Sequence, residues 1–225
     1  MQRRRFALVL PLLATPLAHS QGIAGISDAD AGKGLRTALE TGALAAVKLL
    51  GRPDGFLVNP QVHIPLPGML KDAAKLLAAL GMRRQELETA MNRAAEAAVP
   101  MAKNLLVDAV RNLTVADARQ ILSGGDTSVT QFFAGKTRSA LSSTFLPVVR
   151  TQTAKVGLKE QYERIAQQAQ GMGLVKAEDA SVDHYVTRKA LDGLYFMIGE
   201  EERRIRRDPV GTGSAVLQKV FGALR

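Results

Sequence analysis

The stretch from Asp192 to Pro209 constrains this chain more than any other. Leu194 to Ile198 are five apolar residues in a row. On a helix, five consecutive positions cover every face, so this turn has to be enclosed by other elements. Glu200 to Arg207 then switch to charge, with only Ile205 left to reach a core. Glu200 to Arg204 and Glu202 to Arg206 are i,i+4 pairs in the favourable acid-first order. Arginines at a helix C-terminus also suit the helix dipole. Pro209 cannot continue the hydrogen-bond ladder, and it biases Asp208 out of the helical region. The pattern predicts one central helix with a buried middle, including Leu194 and Ile198, and a charged, solvated end.

The rest of the chain can supply what encloses it. Its 225 residues allow one good-sized domain, and 46% are apolar, enough for a real core. Trp is absent and only seven Phe and three Tyr are present. A core filled mainly by Leu, Ala, Val and Met suits closely packed helices better than a sheet. Ser27 and Asp28 read as the start of a first helix running to about Leu50, with Leu35, Ala38, Leu39, Ala43, Ala46, Val47 and Leu50 as its apolar stripe. Gly51 and Pro53 end it. Residues 51–67 hold four prolines, which preclude a helix, together with Phe56, Leu57, Val58, Ile64 and Leu66. We expect this apolar loop to wrap across the helices with those side chains pushed in. Val62-His63-Ile64 alternates like a short extended strand, with His63 pointing away from the core.

A short helix is expected over Met69–Leu80, then a long one from Arg84 to about Leu113, kinked near Glu96 by Pro100. Thr114 with Asp117 resembles a capping box for a short helix ending at Gly124-Gly125. The next helix starts at Asp126-Thr127-Ser128, carries Pro147 as a second kink and stops at Gly157. Leu158–Gln170 follows, then a flexible break at Gly171-Met172-Gly173. The central helix is capped by Ser181 or Thr187, and a last helix spans Ala215–Leu224. The fold class is therefore all-α: a single globular domain over 21–225, of about seven or eight helices around the central C-terminal one. No repeat of 20 to 50 residues is present, so the chain is not a solenoid.

The first twenty residues read as a signal peptide. Arg3, Arg4 and Arg5 form a basic start, Phe6–Leu17 an apolar middle, and Ala18-His19-Ser20 a cleavage site after Ser20. That middle is too short to span a bilayer, and no later stretch reaches eighteen apolar residues. With no cysteine there is no lipid anchor and no disulfide. The expected location is the periplasm, with secretion as the other outcome. Removing the three leader arginines from the net charge of +9 leaves +6. A basic protein outside the cytoplasm meets anionic envelope components first. The basic residues carry no interleaved aromatic platform, which gives nucleic-acid binding little support.

Familiar catalytic patterns are missing. Beyond the leader only His63 and His184 remain, too few for a His-Glu-x-x-His zinc site. There is no Gly-x-Ser-x-Gly elbow, no thiol, and Gly32-Lys33-Gly34 is not a phosphate loop. No cofactor or metal is implied. Four polar clusters remain as candidate binding sites. Gly125, Asp126 and Thr127 could hold an anion at a helix start, but read first as a glycine stop and a self-capping Asp. Asn92 and Glu96, beside Arg93 and with Glu88 a turn earlier, share one helix face that could line a polar groove or bind a cation; we read it as an outward charged face. Asp54 and Phe56 flank a turn glycine, with Phe56 as a core plug. Glu201 and Arg206 belong to the acid–arginine ladder, read as a solvated salt-bridge face.

Several of these stretches together resemble a known family. They are Asp54-Gly55-Phe56, Ile64-Pro65-Leu66-Pro67, Met91-Asn92-Arg93-Ala94-Ala95-Glu96, Gly124-Gly125-Asp126-Thr127, Tyr185-Val186-Thr187 with Lys189–Leu194, Glu201-Glu202 with Ile205-Arg206 and Pro209, and Val220-Phe221-Gly222. In this order they resemble the domain-of-unknown-function family 4197, over nearly all of the chain beyond the leader. The resemblance implies an exported helical protein of Gram-negative bacteria and assigns no activity and no catalytic residue. The function expected from all this is a non-catalytic binding or interaction module of the cell envelope. A carrier of a lipid or other apolar molecule, and more remotely an Asp/Glu-dependent hydrolase, are the alternatives.

Overall fold

The computed structural model describes residues 28–67, 84–125, 127–155, 157–171 and 180–208. The expected leader, the helix over Met69–Leu80, Met172-Gly173 and the last helix Ala215–Leu224 lie outside the described residues. All regular structure among the described residues is helical. In chain order the elements are α1 (Asp28–Leu50), α2 (Arg84–Ala98), a 3-10 turn (Val99–Ala102), α3 (Lys103–Arg111), α4 (Val115–Ser123), α5 (Ser128–Lys155), α6 (Leu158–Gly171) and α7 (Val182–Arg207). They form one all-α domain.

Local chemistry sets most boundaries. The expected stripe of α1, from Leu35 to Leu50, is buried. At α4, the Thr114 hydroxyl accepts from the Asp117 N–H at 3.1 Å, and the Asp117 carboxylate accepts from the Thr114 N–H at 3.1 Å. Those Thr114 donors, with Lys136 of α5 beyond them, hold the Asp117 carboxyl below its usual range. Helix α5 runs on through Pro147, and Gly157 takes a left-handed φ of 61° where the chain turns into α6. Ser181 occupies the cap position of α7 but makes no side-chain cap bond, and Thr187 lies inside the helix. Pro100 does more than kink a long helix near Glu96. It lacks an N–H to return to the carbonyl four residues back, and its ring crowds that carbonyl. The chain winds tighter there, as the 3-10 turn, and restarts as α3.

Helix α7 packs against α1, α2, α5, α6 and the 3-10 turn, most extensively against α5. Leu191, Leu194, Tyr195, Met197 and Ile198 are buried as its apolar turn requires. Phe196 departs from that expectation, at 38% exposed, because no described element covers its sector. The charged end departs more. Glu202 is only 4% exposed and Ile205 1%. Glu200 pairs with Arg203 and Glu201 with Arg204, both i,i+3. Small residues of α1 are the cause. A methyl placed on Gly42 would lie 3.5 Å from Glu201 Cβ and 3.9 Å from Ile205 Cδ1, so the two helices approach closely enough to enclose one side of the charged turn.

The proline-rich loop of residues 51–67 crosses this framework. Phe56, Val62, Ile64 and Leu66 are buried as expected. Val58 is not: it stands 68% exposed at the turn after Leu57, which is half-buried. His63 is half-buried, and Val62-His63-Ile64 makes no strand. Phe56 seats on α7 at Gly193, where a Cβ would come within 2.8 Å of Phe56 Cε1 and 3.2 Å of Val62 Cβ. Only a residue without a side chain lets the loop lie this close.

Two pairs of substitutions test this arrangement by urea midpoints. Gly193→Ala should lose ~1–3 kcal/mol through overpacking, since the Phe56 ring is fully buried and cannot swing away. Gly135→Ala, on exposed α5 surface with nothing within 4 Å of the new methyl, should gain ~0.5–1 kcal/mol from helix propensity alone. Leu194→Ala should cost ~2–5 kcal/mol as a core cavity, whereas Glu200→Ala should remove a part-exposed pair worth under ~1 kcal/mol.

Candidate functional site

Residues 51–67 satisfy only part of their own backbone: Asn59 O accepts the N–H groups of Val62 at 3.2 Å and His63 at 2.9 Å. Prolines and turns break any ladder, yet the loop is pressed onto apolar helices where water does not reach its inner N–H groups. The polar face of α2 supplies the missing acceptors. Glu88, Asn92 and Glu96 are spaced four residues apart, one above the other on a helix. Glu96 Oε1 accepts the N–H groups of Phe56 at 3.0 Å and Leu57 at 3.1 Å. Asn92 Oδ1 accepts Ile64 N–H at 2.9 Å, and its amide donates back to Ile64 O at 2.9 Å and to Glu88 O at 2.7 Å. Glu88 Oε1 accepts Leu66 N–H at 3.2 Å. From α7, the Tyr185 hydroxyl donates to Pro65 O at 2.7 Å.

Arg93 completes the clamp from outside, with one nitrogen on Glu96 Oε2 and another on Asp54 Oδ1, each at 2.7 Å. Asp54 takes a left-handed φ of 68° there, a conformation Asp tolerates better than most residues. So Asp54, Phe56, Asn92, Arg93 and Glu96 are brought together, and they hold the loop onto α2. The expected outward charged face is corrected: Asn92 is fully buried and Glu96 nearly so. The amide of Asn92 is fully committed, and both oxygens of Glu96 are taken.

The remaining candidates stay apart. Gly125 and Thr127 sit in the α4–α5 link, where Gly125 O accepts Ser128 N–H at 3.0 Å and Thr127 O accepts Gln131 N–H at 2.9 Å; Asp126 lies outside the described residues. Glu201 pairs with Arg204 at 2.5 Å, while the side chain of Arg206 lies outside the described set. Buried Asp183 accepts from the Thr153 hydroxyl at 2.6 Å and pairs with Arg150 at 3.4 Å. No three His, Asp or Glu side chains among the described residues converge as metal ligands.

A groove that the sequence reading missed lies between α5 and α7. It has a volume of about 460 Å³ and is lined by Arg138, Ser142, Ser143 and Leu146 from α5 and His184, Thr187 and Arg188 from α7. No acid is among these residues. Each guanidinium rides on a tyrosine face: Arg138 lies 5.1 Å from the centre of the Tyr195 ring and Arg188 5.6 Å from that of Tyr185. Tyr185 in turn stacks with Tyr162 at 6.5 Å. Burial pushes the Tyr195 phenol above its usual range, against the opposing pull of its Thr137 hydrogen bond, so the ring carries no competing charge. Arg138 spends one terminal nitrogen on Asp192 at 2.8 Å. The spacing 138, 142, 146 on one helix and 184, 187, 188 on the other was the available signal, since each set falls on one helical face.

Two substitutions test the clamp. Glu96→Ala strands two inner N–H groups and should cost ~2–4 kcal/mol. Asn92→Asp is nearly isosteric but turns a carboxylate oxygen onto the Ile64 and Glu88 carbonyls. The fold therefore disfavours its ionised form, and its folded pKa rises above the unfolded value. The loss should be ~2 kcal/mol or more at neutral pH and should shrink as the pH falls through the usual carboxylate range. Denaturant midpoints measured between acid and neutral pH check both.

No curated protein and no solved structure matches the chain. One family model does, over residues 25–222, described as a protein of unknown function, DUF4197. That span takes in the clamp and both walls of the groove, and the chain belongs to the DUF4197 family.

Proposed function

We propose that this protein is an exported, non-catalytic binding module that engages anionic components of the cell envelope. The observation that carries the reading is the α5–α7 groove, lined among the described residues by two arginines, a histidine, three hydroxyl side chains and Leu146, with Asp192 paired to Arg138. Charge complementarity of this kind steers anions and raises their local concentration. The chain's excess of basic over acidic residues, +6 beyond the leader, acts in the same direction. Export rests on the leader pattern of residues 1–20. No described helix is long and apolar enough to cross a membrane.

Binding rather than catalysis is favoured by what two of the three buried carboxylates among the described residues are doing, Glu202 being the third. Glu96 is occupied by backbone N–H groups and Arg93, and Asp183 by Thr153 and Arg150. General acid–base work needs a carboxyl within reach of a substrate proton.

Co-sedimentation with vesicles tests the reading. The protein should bind vesicles rich in anionic phospholipid, or purified peptidoglycan, at low salt. Binding should weaken steeply between ~0.01 and ~1 M salt, as the Debye length shrinks from ~30 to ~3 Å. Absence of binding to either material at low salt would overturn it, as would cytoplasmic retention of the chain on cell fractionation.

A further inference from the structure

We propose that the end of the molecule where the proline-rich loop meets the 3-10 turn docks on an anionic lipid bilayer, through Val58 and Met101 with Lys48, Arg52 and Lys103 beside them. This rests on the envelope reading for its partner and names a surface apart from the α5–α7 groove. The loop runs antiparallel to α2. Its Phe56 and Leu57 N–H groups sit on Glu96, in the last turn of that helix, and its Leu66 N–H on Glu88, near the start. Residues 51–58 therefore lie beside the 3-10 turn that follows α2. The approach is close: a Cβ placed on Gly51 would come within 2.8 Å of Pro100 Cγ. Val58 stands 68% exposed at this end and Met101 52%.

A lone exposed apolar side chain is ordinary, and two observations set this pair apart. The first is that the backbone is fixed beside each. Leu57 N–H is held by Glu96 and Asn59 N–H by Phe56 O at 3.2 Å, so Val58 is carried outward between two bonded neighbours. Met101 follows Pro100, whose ring locks its own φ, and Lys103 N–H returns to Pro100 O. The second is charge. Lys48, Arg52 and Lys103 are exposed, each within three residues of the Gly51–Pro100 contact. None of them pairs with a carboxylate among the described residues. The acids of the loop and of the last turn of α2, Asp54 and Glu96, are both held by Arg93. Three unneutralised cations thus surround apolar tips. An anionic headgroup layer complements that arrangement: the cations meet phosphates while the tips enter the interface, and both contributions add to binding. Phe196 is exposed too, but Asp192 and Glu200 stand one turn to either side of it, so its surroundings carry no such excess.

The chain has no cysteine, so a single introduced thiol takes a single label. Val58→Cys, Met101→Cys and Ser139→Cys are each labelled with an environment-sensitive fluorophore; Ser139 is an exposed α5 position beside the groove residue Arg138. Each is mixed at low salt with vesicles of equal parts phosphatidylglycerol and phosphatidylcholine, and with phosphatidylcholine alone. We expect the labels at positions 58 and 101 to shift to the blue on the anionic vesicles only, and the label at 139 to stay unchanged. In unlabelled protein, Val58→Ser with Met101→Ser should weaken co-sedimentation with the anionic vesicles about tenfold at an unchanged melting temperature, because both side chains are exposed. Lys103→Gln should weaken it about fivefold. The proposal is overturned by an unchanged label at 58 or at 101, by a shift at 139 as large as theirs, or by equal shifts on phosphatidylcholine alone. A double variant that co-sediments as the wild type does overturns it as well. So does a shift that grows with protein concentration in the absence of vesicles, which marks a second copy of the chain as the occupant. The envelope reading fails separately. Peptidoglycan binding, or vesicle binding that moves only the label at 139, sinks this inference and leaves that reading standing. Cytoplasmic retention of the chain removes that reading whatever the labels show.

Discussion

A buried backbone N–H group must have an acceptor, and the proline-rich loop provides only some of its own. That requirement organises one side of this molecule. Three polar side chains of α2, one turn apart, take the inner N–H groups of Phe56, Leu57, Ile64 and Leu66. Once they are satisfied, the apolar side chains beside them can enter the core. Phe56 then reaches α7 at Gly193, and the Tyr185 hydroxyl ties Pro65 to the same helix. The loop becomes a strap joining the end of α1, the polar face of α2 and the middle of α7.

The strap also accounts for the buried polar groups of α2. Asn92 and Glu96 would attract notice as a buried polar pair, and buried polar groups with strong neighbours are often functional. Here every hydrogen-bonding group they carry that faces the loop is engaged by the chain itself. The contrast with Thr187, whose buried hydroxyl has no hydrogen-bond partner among the described residues, is physical. One set of buried polar atoms is saturated from within the fold, and the other is not. The same helix α7 takes part in both, through Tyr185 to the strap and through Thr187 and Arg188, two and three residues further on, to the groove.

Strictly local features were legible in the residues. The apolar stripe of α1, the Thr114–Asp117 box, the stop at Gly157 and the buried Leu194–Ile198 pair each depend on neighbours within a few positions. Features set by a remote partner were not. Asn92 and Glu96 look like an outward face until the loop some thirty to forty residues earlier is known to need acceptors. Glu202 looks solvated until the small residues of α1 bring that helix against it. The groove is built from two faces about forty residues apart, and each face alone reads as ordinary helix surface.

The sequence by itself determined the helical class, the boundaries written by caps, glycines and prolines, and most of the apolar residues that form the core, Val58 and Phe196 excepted. Those follow from backbone sterics and from apolar periodicity, which act over one or two turns. Only the tertiary structure decided which polar residues face inward and whether they are spent or available. That depends on which donors and acceptors are brought within about 3 Å of one another. Contacts such as Ile64 with Asn92 and Pro65 with Tyr185 join segments that no local pattern relates.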